Sequence, residues 1–259
     1  MTNEQYEQQR ENYFNSLSGT PKGANGTFRC EICKDKGYID ELEPNLYGDM
    51  VNHVMRECKC RKKQKILDAA ECSGLDGTLQ LCTFKTFEAN EDWQKGIKET
   101  AQAFCEDERA RCFYIGGQSG CGKTHICTAI FGTLIKKGFK ALYMRWEEES
   151  RKLKAVTNDM RYEDLIRKYK DTPVLYIDDF LKVQSGGAPT EADIKLAFNL
   201  INSRYMDNNK ITIISSEKTL DELLRYDEAT MGRIVQMAGK YQLEIKRDKE
   251  KNYRTRKTK

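Results

Sequence analysis

Residues 117 to 124 read GQSGCGKT, a G-x-x-x-x-G-K-T loop, and this loop narrows the possible folds more than any other stretch of the chain. Glycines at 117, 120 and 122 let the backbone from Gly117 through Gln118, Ser119, Gly120 and Cys121 to Gly122 curl, so that successive N–H groups point inward. A helix beginning at the loop adds its positive N-terminal dipole at the same place. Such a loop needs a buried strand before it and an amphipathic helix after it. The short apolar run CFYIGG precedes it, and Ile126, Ala129, Ile130, Thr133 and Leu134 follow at helical spacing. In that setting Lys123 reaches the β and γ phosphates of a nucleoside triphosphate, and the Thr124 hydroxyl ligates Mg2+.

A nucleoside triphosphatase also needs a second metal anchor and a group that orients water. The run VLYIDDF ends in two acids, and an acid at the C-terminal end of a buried parallel strand lies beside the phosphate loop. Asp178 is the expected Mg2+ anchor and Asp179 the residue that polarises the attacking water. The short second acid suits slow turnover, hence a switch better than a motor. Two further positions are open on the residues alone. Ser216, in IISSEKT, is either a hydrogen-bond partner of the γ-phosphate or a plain serine in a strand-end turn. Arg233, in EATMGRI, is either a surface residue or an arginine finger given to a neighbouring subunit's ATP.

From about Leu79 onward, strands alternate with helices. KALYMRW, PVLYIDDF, KITIISS and YQLEIKR read as strands. YEDLIRKYK, TEADIKLAFNLINSRYM and EATMGRIVQMA read as helices, with Thr190 as one N-cap and Thr219 and Glu222 at capping-box spacing before another helix. The alternation predicts an α/β fold with a parallel sheet over residues 79–259. Residues 1–78 form a separate N-terminal module, and residues 1–29 end in SGTPKGANG, a linker-like run.

Residues 30 to about 62 show neither helical nor strand period, so something other than an apolar core holds them. Cys30-x-x-Cys33 and Cys58-x-Cys60 supply it, as four thiolates for one structural Zn2+ within a segment of about 28–62. Gly37, four residues past Cys33, helps the first knuckle close, and His53 is an alternative ligand. Cys72, Cys82, Cys105, Cys112, Cys121 and Cys127 follow no pattern and read as reduced core or loop thiols. No run of about 20 apolar residues occurs and the first residues are polar, which excludes a membrane partner and predicts a cytoplasmic protein.

Residues 246–259 hold eight Lys or Arg against two acids, so this tail carries +6 of the net +4 and the rest of the chain is near −2. A basic arm of this kind favours phosphate backbones without reading sequence. A second basic run spans Arg145, Arg151, Lys152, Lys154, Arg161, Arg167 and Lys168 and includes Trp146, a composition suited either to a single-stranded DNA groove or to a solvated helix broken by Glu147, Glu148 and Glu149. Phe84 and Phe87 read as packing anchors.

In this order GGQSGCGKT, VLYIDDF, TIISSEKTLDELL and DEATMGRI resemble the AAA+ ATPases of the DnaC/DnaI helicase-loader group, particularly its phage and prophage forms, with the IstB transposition helper a close relative. The resemblance covers roughly residues 79–255. It implies a sheet order of 5-1-4-3-2, Ser216 as a sensor at the end of strand four, and Arg233 as a finger acting in trans. It also implies ATP and Mg2+ as cofactors and self-association of the ATP-bound protein. Two departures stand out: Ala229 occupies a position that is Arg in many initiators, and the chain ends too soon after YQLEIKR for a helical lid. The paired cysteines resemble the zinc-bearing modules with which DnaI-type loaders grip a helicase. The resulting expectation is an ATP-dependent loader of a replicative helicase onto single-stranded DNA. A transposition helper and an ATP-binding adaptor that never turns over are the alternatives.

Overall fold

The computed structural model describes residues 28, 30–44, 51–61, 73–75, 77–183 and 187–255, so the linker-like run SGTPKGANG lies outside them. The chain forms two compact units, Met1–Asp68 and Ala69–Lys259. In the first, β1 (Tyr38–Pro44) pairs antiparallel with β2 (Val51–Glu57), from Tyr38 opposite Glu57 to Pro44 opposite Val51. The sequence pattern shows no sign of this hairpin. Asp40 and Glu41 put acids on both faces of β1, so no apolar alternation marks it. Its pairing is extended by Cys58 N–H donating to the Gly37 carbonyl at 2.8 Å, and an exposed Arg56–Glu41 ion pair crosses it at 2.9 Å.

The second unit runs α1 (Thr78–Leu81), α2 (Asp92–Glu106), β3 (Cys112–Gly117), α3 (Lys123–Lys136), β4 (Ala141–Arg145), α4 (Trp146–Ala155) and α5 (Arg161–Asp171). It continues with β5 (Val174–Asp178), α6 (Glu191–Tyr205), β6 (Ile211–Ser215), α7 (Leu220–Leu224), α8 (Glu228–Ala238) and β7 (Gln242–Ile245). The five strands pair in parallel in the order β4-β5-β6-β3-β7, which is 5-1-4-3-2 read from β7. That order sets the end of β3, where the phosphate loop begins, beside the end of β6 and one strand from the end of β5. Ligands of open α/β sheets bind at such a reversal of strand order.

Side chains alternate across the buried strands. Tyr176 faces α3, with its ring 5.9 Å from Phe131, whereas Leu175 and Ile177 join Trp146, Ile166, Leu200 and Ile234 in the core on the other face. Thr190 and Asp193 form a capping box at the start of α6, and Thr219 and Glu222 form one at α7. Two helices went unread in the sequence, the short α1 and α2, whose buried Ile97, Ala101 and Phe104 share one face; α4 carries part of the basic run. Among the described residues no helix is long and apolar enough to cross a membrane.

Arg204, fully buried on α6, ties the lower edge of the sheet together. Its guanidinium donates to the carbonyls of Tyr169 at 3.0 Å, Thr172 at 2.8 Å and Ile211 at 2.7 Å, and Nε donates to Thr212 Oγ1 at 2.9 Å. Burial pulls it down to about 10, so it is still a cation at neutral pH. Arg204→Ala strands several buried carbonyls and is expected to cost about 3 kcal/mol, read as a lower urea midpoint at unchanged slope. A midpoint equal to wild type would refute this role.

Candidate functional site

The phosphate loop is shaped by its contacts with β7. Gly117 has φ 106°, and a Cβ there would lie 2.2 Å from the Ile245 carbonyl oxygen, so a side chain has neither a favourable conformation nor space. Gly122, also left-handed, is the N-cap of α3 and contributes no side-chain cap, which leaves the first N–H groups of the helix for an anion. Loop and helix start wall a cavity of about 400 Å3, with Phe87, Asp179, Lys182 and Glu217 on its other sides. Lys123 is only 7% exposed, and its ammonium donates to the Gly117 carbonyl at 2.9 Å and to the Gln118 carbonyl at 2.6 Å.

Asp178 ends β5 beneath Thr124, whose hydroxyl donates to its Oδ1 at 3.3 Å. Tyr176 donates to the same oxygen at 2.8 Å, Tyr143 to Oδ2 at 3.0 Å, and Ser215 donates to Oδ1 as well. Burial, with the charge of Asp178 adding to it, pushes both tyrosine hydroxyls above their ordinary range, so they remain donors. This clamp fixes a carboxylate beside the Thr124 hydroxyl, an oxygen pair suited to Mg2+.

Asp179 leaves the strand in the left-handed region, at φ 55°, and Leu181 follows at φ 54°. The conformation is held by Asp179 N–H donating to Ser215 Oγ at 3.1 Å and Phe180 N–H to the Ser215 carbonyl at 2.8 Å. Backbone strain of this kind, over-determined by its neighbours, turns the carboxylate into the cleft. There Lys182 Nζ reaches Asp179 at 2.9 Å and Glu217 at 3.1 Å. Burial opposes the charge of Lys182, yet the two carboxylates hold it above its ordinary value. Glu217 is likewise partly buried and is held low by Lys182.

In the first unit the Sγ atoms of Cys30, Cys33, Cys58 and Cys60 all lie within 4.8 Å of one another. The Cys30–Cys58 separation of 3.8 Å matches the edge of about 3.8 Å that a tetrahedral Zn–S4 centre requires, and the Cys33–Cys60 separation of 3.3 Å is somewhat shorter. All four are free thiols. Lys34 and Asp35 at φ 49° and 61°, with Gly37 at φ 82°, wind the knuckle that returns the Gly37 N–H to Cys33 Sγ at 3.3 Å. The Cys33 backbone N–H pulls Cys30 down to about 7, while burial and the neighbouring thiols push Cys60 up. A dication removes this conflict, and the donor set fits Zn2+. His53 sits opposite Leu42 in the hairpin, and its side chain lies outside the described residues.

Residues 41–256 match the family of IstB-like ATP binding proteins. The chain belongs to that family. Among relatives, this IstB-like chain is 29% identical to YqaM of Bacillus subtilis (strain 168), covering 86% of the chain and 84% of that protein. It is 26% identical to the replicative helicase loader DnaC of Buchnera aphidicola subsp. Schizaphis graminum, covering 61% of the chain and 63% of that protein. Among solved structures, DnaI superposes with a TM-score of 0.53 at 21% identity, covering 65% of this chain and 92% of DnaI, which establishes the shared AAA+ fold.

The other expected site residues of the IstB-like chain lie off the cleft. Ser216 is fully buried, and its hydroxyl donates to the Phe180 carbonyl at 3.0 Å; the cleft receives its neighbour Glu217 instead. Arg233 lies on α8 against α6, donates to the Ala229 carbonyl at 2.6 Å, and stacks 5.2 Å from the Phe198 ring. Trp146 is 1% exposed and packs edge-on against Phe180 at 5.0 Å, so it is core and offers no stacking face to a base. Much of the basic run around it is paired with acids, Arg145 with Glu148, Lys152 with Glu149 and Lys154 with Asp193. Sequence reasoning missed Lys182 and Glu217, and it read Phe87 only as packing although the ring also borders Gly122 in the cleft.

Proposed function

We propose that this chain is an ATP-dependent loader that delivers a replicative DNA helicase onto single-stranded DNA during replication. The observation that carries the reading is the cleft itself. The phosphate loop, the buried Lys123 and the Thr124–Asp178 pair stand together on a sheet of the same fold as DnaI, in a chain related to DnaC.

In this reading the loop N–H groups and Lys123 bind the phosphates. Thr124 and Asp178 hold Mg2+, which when bound neutralises phosphate charge. Asp179 orients the attacking water, and it is released for that task when ATP draws Lys182 away from it. Arg233 completes the site of a neighbouring subunit in an ATP-bound assembly. The zinc-holding first unit grips the helicase. The family match itself favours a second reading, a transposition helper acting on double-stranded DNA with a transposase.

Asp179→Asn tests the chemistry. It is expected to bind ATP as wild type does and to hydrolyse it about a hundredfold more slowly, because the group that orients water is lost while the phosphate contacts remain. Equal turnover by variant and wild type would contradict the assignment. Stimulation of wild-type turnover by double-stranded and not single-stranded DNA would favour the transposition helper, and absence of turnover with either would leave a binding adaptor.

A further inference from the structure

The chain returns to the phosphate loop after β7. The Gln118 side chain brackets Asp248, with Nε2 donating to the Asp248 carbonyl at 2.7 Å and Oε1 accepting from the Asp248 N–H. Asp248 then caps a 3-10 turn, Lys249–Lys251, which swings the following residues over the loop. Tyr253 N–H donates to the Gly120 carbonyl at 3.0 Å. Asn252 Oδ1 lies where a Cβ on Gly120 would meet it at 2.2 Å, and the same oxygen accepts from Arg254 N–H at 3.1 Å. From the side of α2, Gln94 Nε2 donates to the Tyr253 hydroxyl at 2.7 Å. Residues 246–255 are therefore a strap fastened to the loop at Gln118 and Gly120 and to the helix at Gln94.

The strap puts Tyr253 and Arg254 on the wall of the cavity that holds Lys123 and Thr124. The charges of that cavity divide in a simple way. Lys182 is committed to Asp179 and Glu217. Lys123 bonds only to backbone carbonyls, and among the described residues no carboxylate pairs with the exposed Arg254 guanidinium. Two cations without acid partners thus border one cavity at the N-terminus of a helix, an arrangement complementary to a polyphosphate. A guanidinium supplies a planar, two-pronged donor for phosphate oxygens, which an ammonium does not.

We infer that Arg254 is a second phosphate-binding residue of the nucleotide site, carried there by a strap built on the phosphate loop; the inference rests on the ATP reading above. The strap closes the nucleotide cleft in cis, within a single chain. Because it is fastened to Gly120 and Gln118, any shift of the loop around bound phosphates moves Arg254 with it.

Displacement of a fluorescent ATP analogue from full-length wild type, Arg254→Ala and Arg254→Lys, using ATP and adenosine as competitors, tests this. Arg254→Ala is expected to bind ATP about tenfold more weakly, the effect of one charge-assisted contact. Arg254→Lys should recover part of the loss, and adenosine should compete equally in all three proteins. The side chain is exposed, so the unliganded variants keep the wild-type melting midpoint. Equal ATP affinity in wild type and Arg254→Ala would overturn the inference, as would an equal loss for adenosine, which would place the effect outside the phosphates. Wild type that failed to bind ATP at all would overturn the ATP reading itself, a result distinct from either.

Discussion

Treatment with a zinc chelator, or replacement of Cys58 with Ser, is expected to unfold residues 30–61 and leave ATP binding by the second unit intact. An isolated two-stranded ribbon is at best marginal in water, and acids interrupt the apolar residues of β1. The buried Cys33 and Cys58 hold the base of the ribbon only if their sulfurs share an ion. Zinc binding to such a site contributes on the order of 10 kcal/mol to folding, far more than the ribbon gains from its own pairing. Purified protein should contain about one zinc per chain, and chelation should expose this segment to protease while the phosphate-loop unit keeps its unfolding midpoint. Zinc-free protein after gentle purification, or unchanged proteolysis after chelation, would refute the assignment.

Lys123→Ala is expected to weaken ATP binding about a thousandfold, or about 4 kcal/mol, because it removes a nearly buried cation from the phosphate loop. Its ammonium contacts only loop carbonyls, so the fold does not depend on it and the melting midpoint should stay within about half a kcal/mol of wild type. The variant also tests Arg233. Mixed with Arg233→Ala, which keeps an intact phosphate loop, Lys123→Ala supplies an intact arginine. Partial recovery of hydrolysis supports a site shared between subunits. No recovery in assemblies shown to contain both chains would make Arg233 a packing residue of α6 and α8, as its contacts with Ala229 and Phe198 allow.

The strand order of the sheet came only from the family resemblance, whereas the parallel sheet itself was legible because β3 and β5 are continuous apolar runs and the loop between β3 and α3 has a spacing that chemistry dictates. Asp178 followed from the same reasoning. What escaped depended on register or on contacts distant in sequence. β6 ends at Ser215, whose hydroxyl turns to Asp178; Ser216 turns inward to Phe180, and only Glu217 reaches the cleft. A one-residue step reverses the direction of a side chain, and a run of two serines gives no local sign of where that step falls. The hairpin of the first unit escaped because its strands lack the apolar alternation by which strands are recognised. Arg254 was read as one charge of a basic arm, and nothing local in KRDKEKNYR announces that Tyr253 will bond to Gly120.

The most direct measurement of the central claim is helicase loading on closed circular single-stranded DNA coated with single-strand-binding protein and carrying an annealed oligonucleotide. The replicative helicase of the same cell, which cannot thread onto a circle unaided, is supplied with ATP and this protein, and release of the oligonucleotide is followed. The account predicts release with wild-type protein and background release with Lys123→Ala. No release with wild type, or equal release with Lys123→Ala, would contradict it.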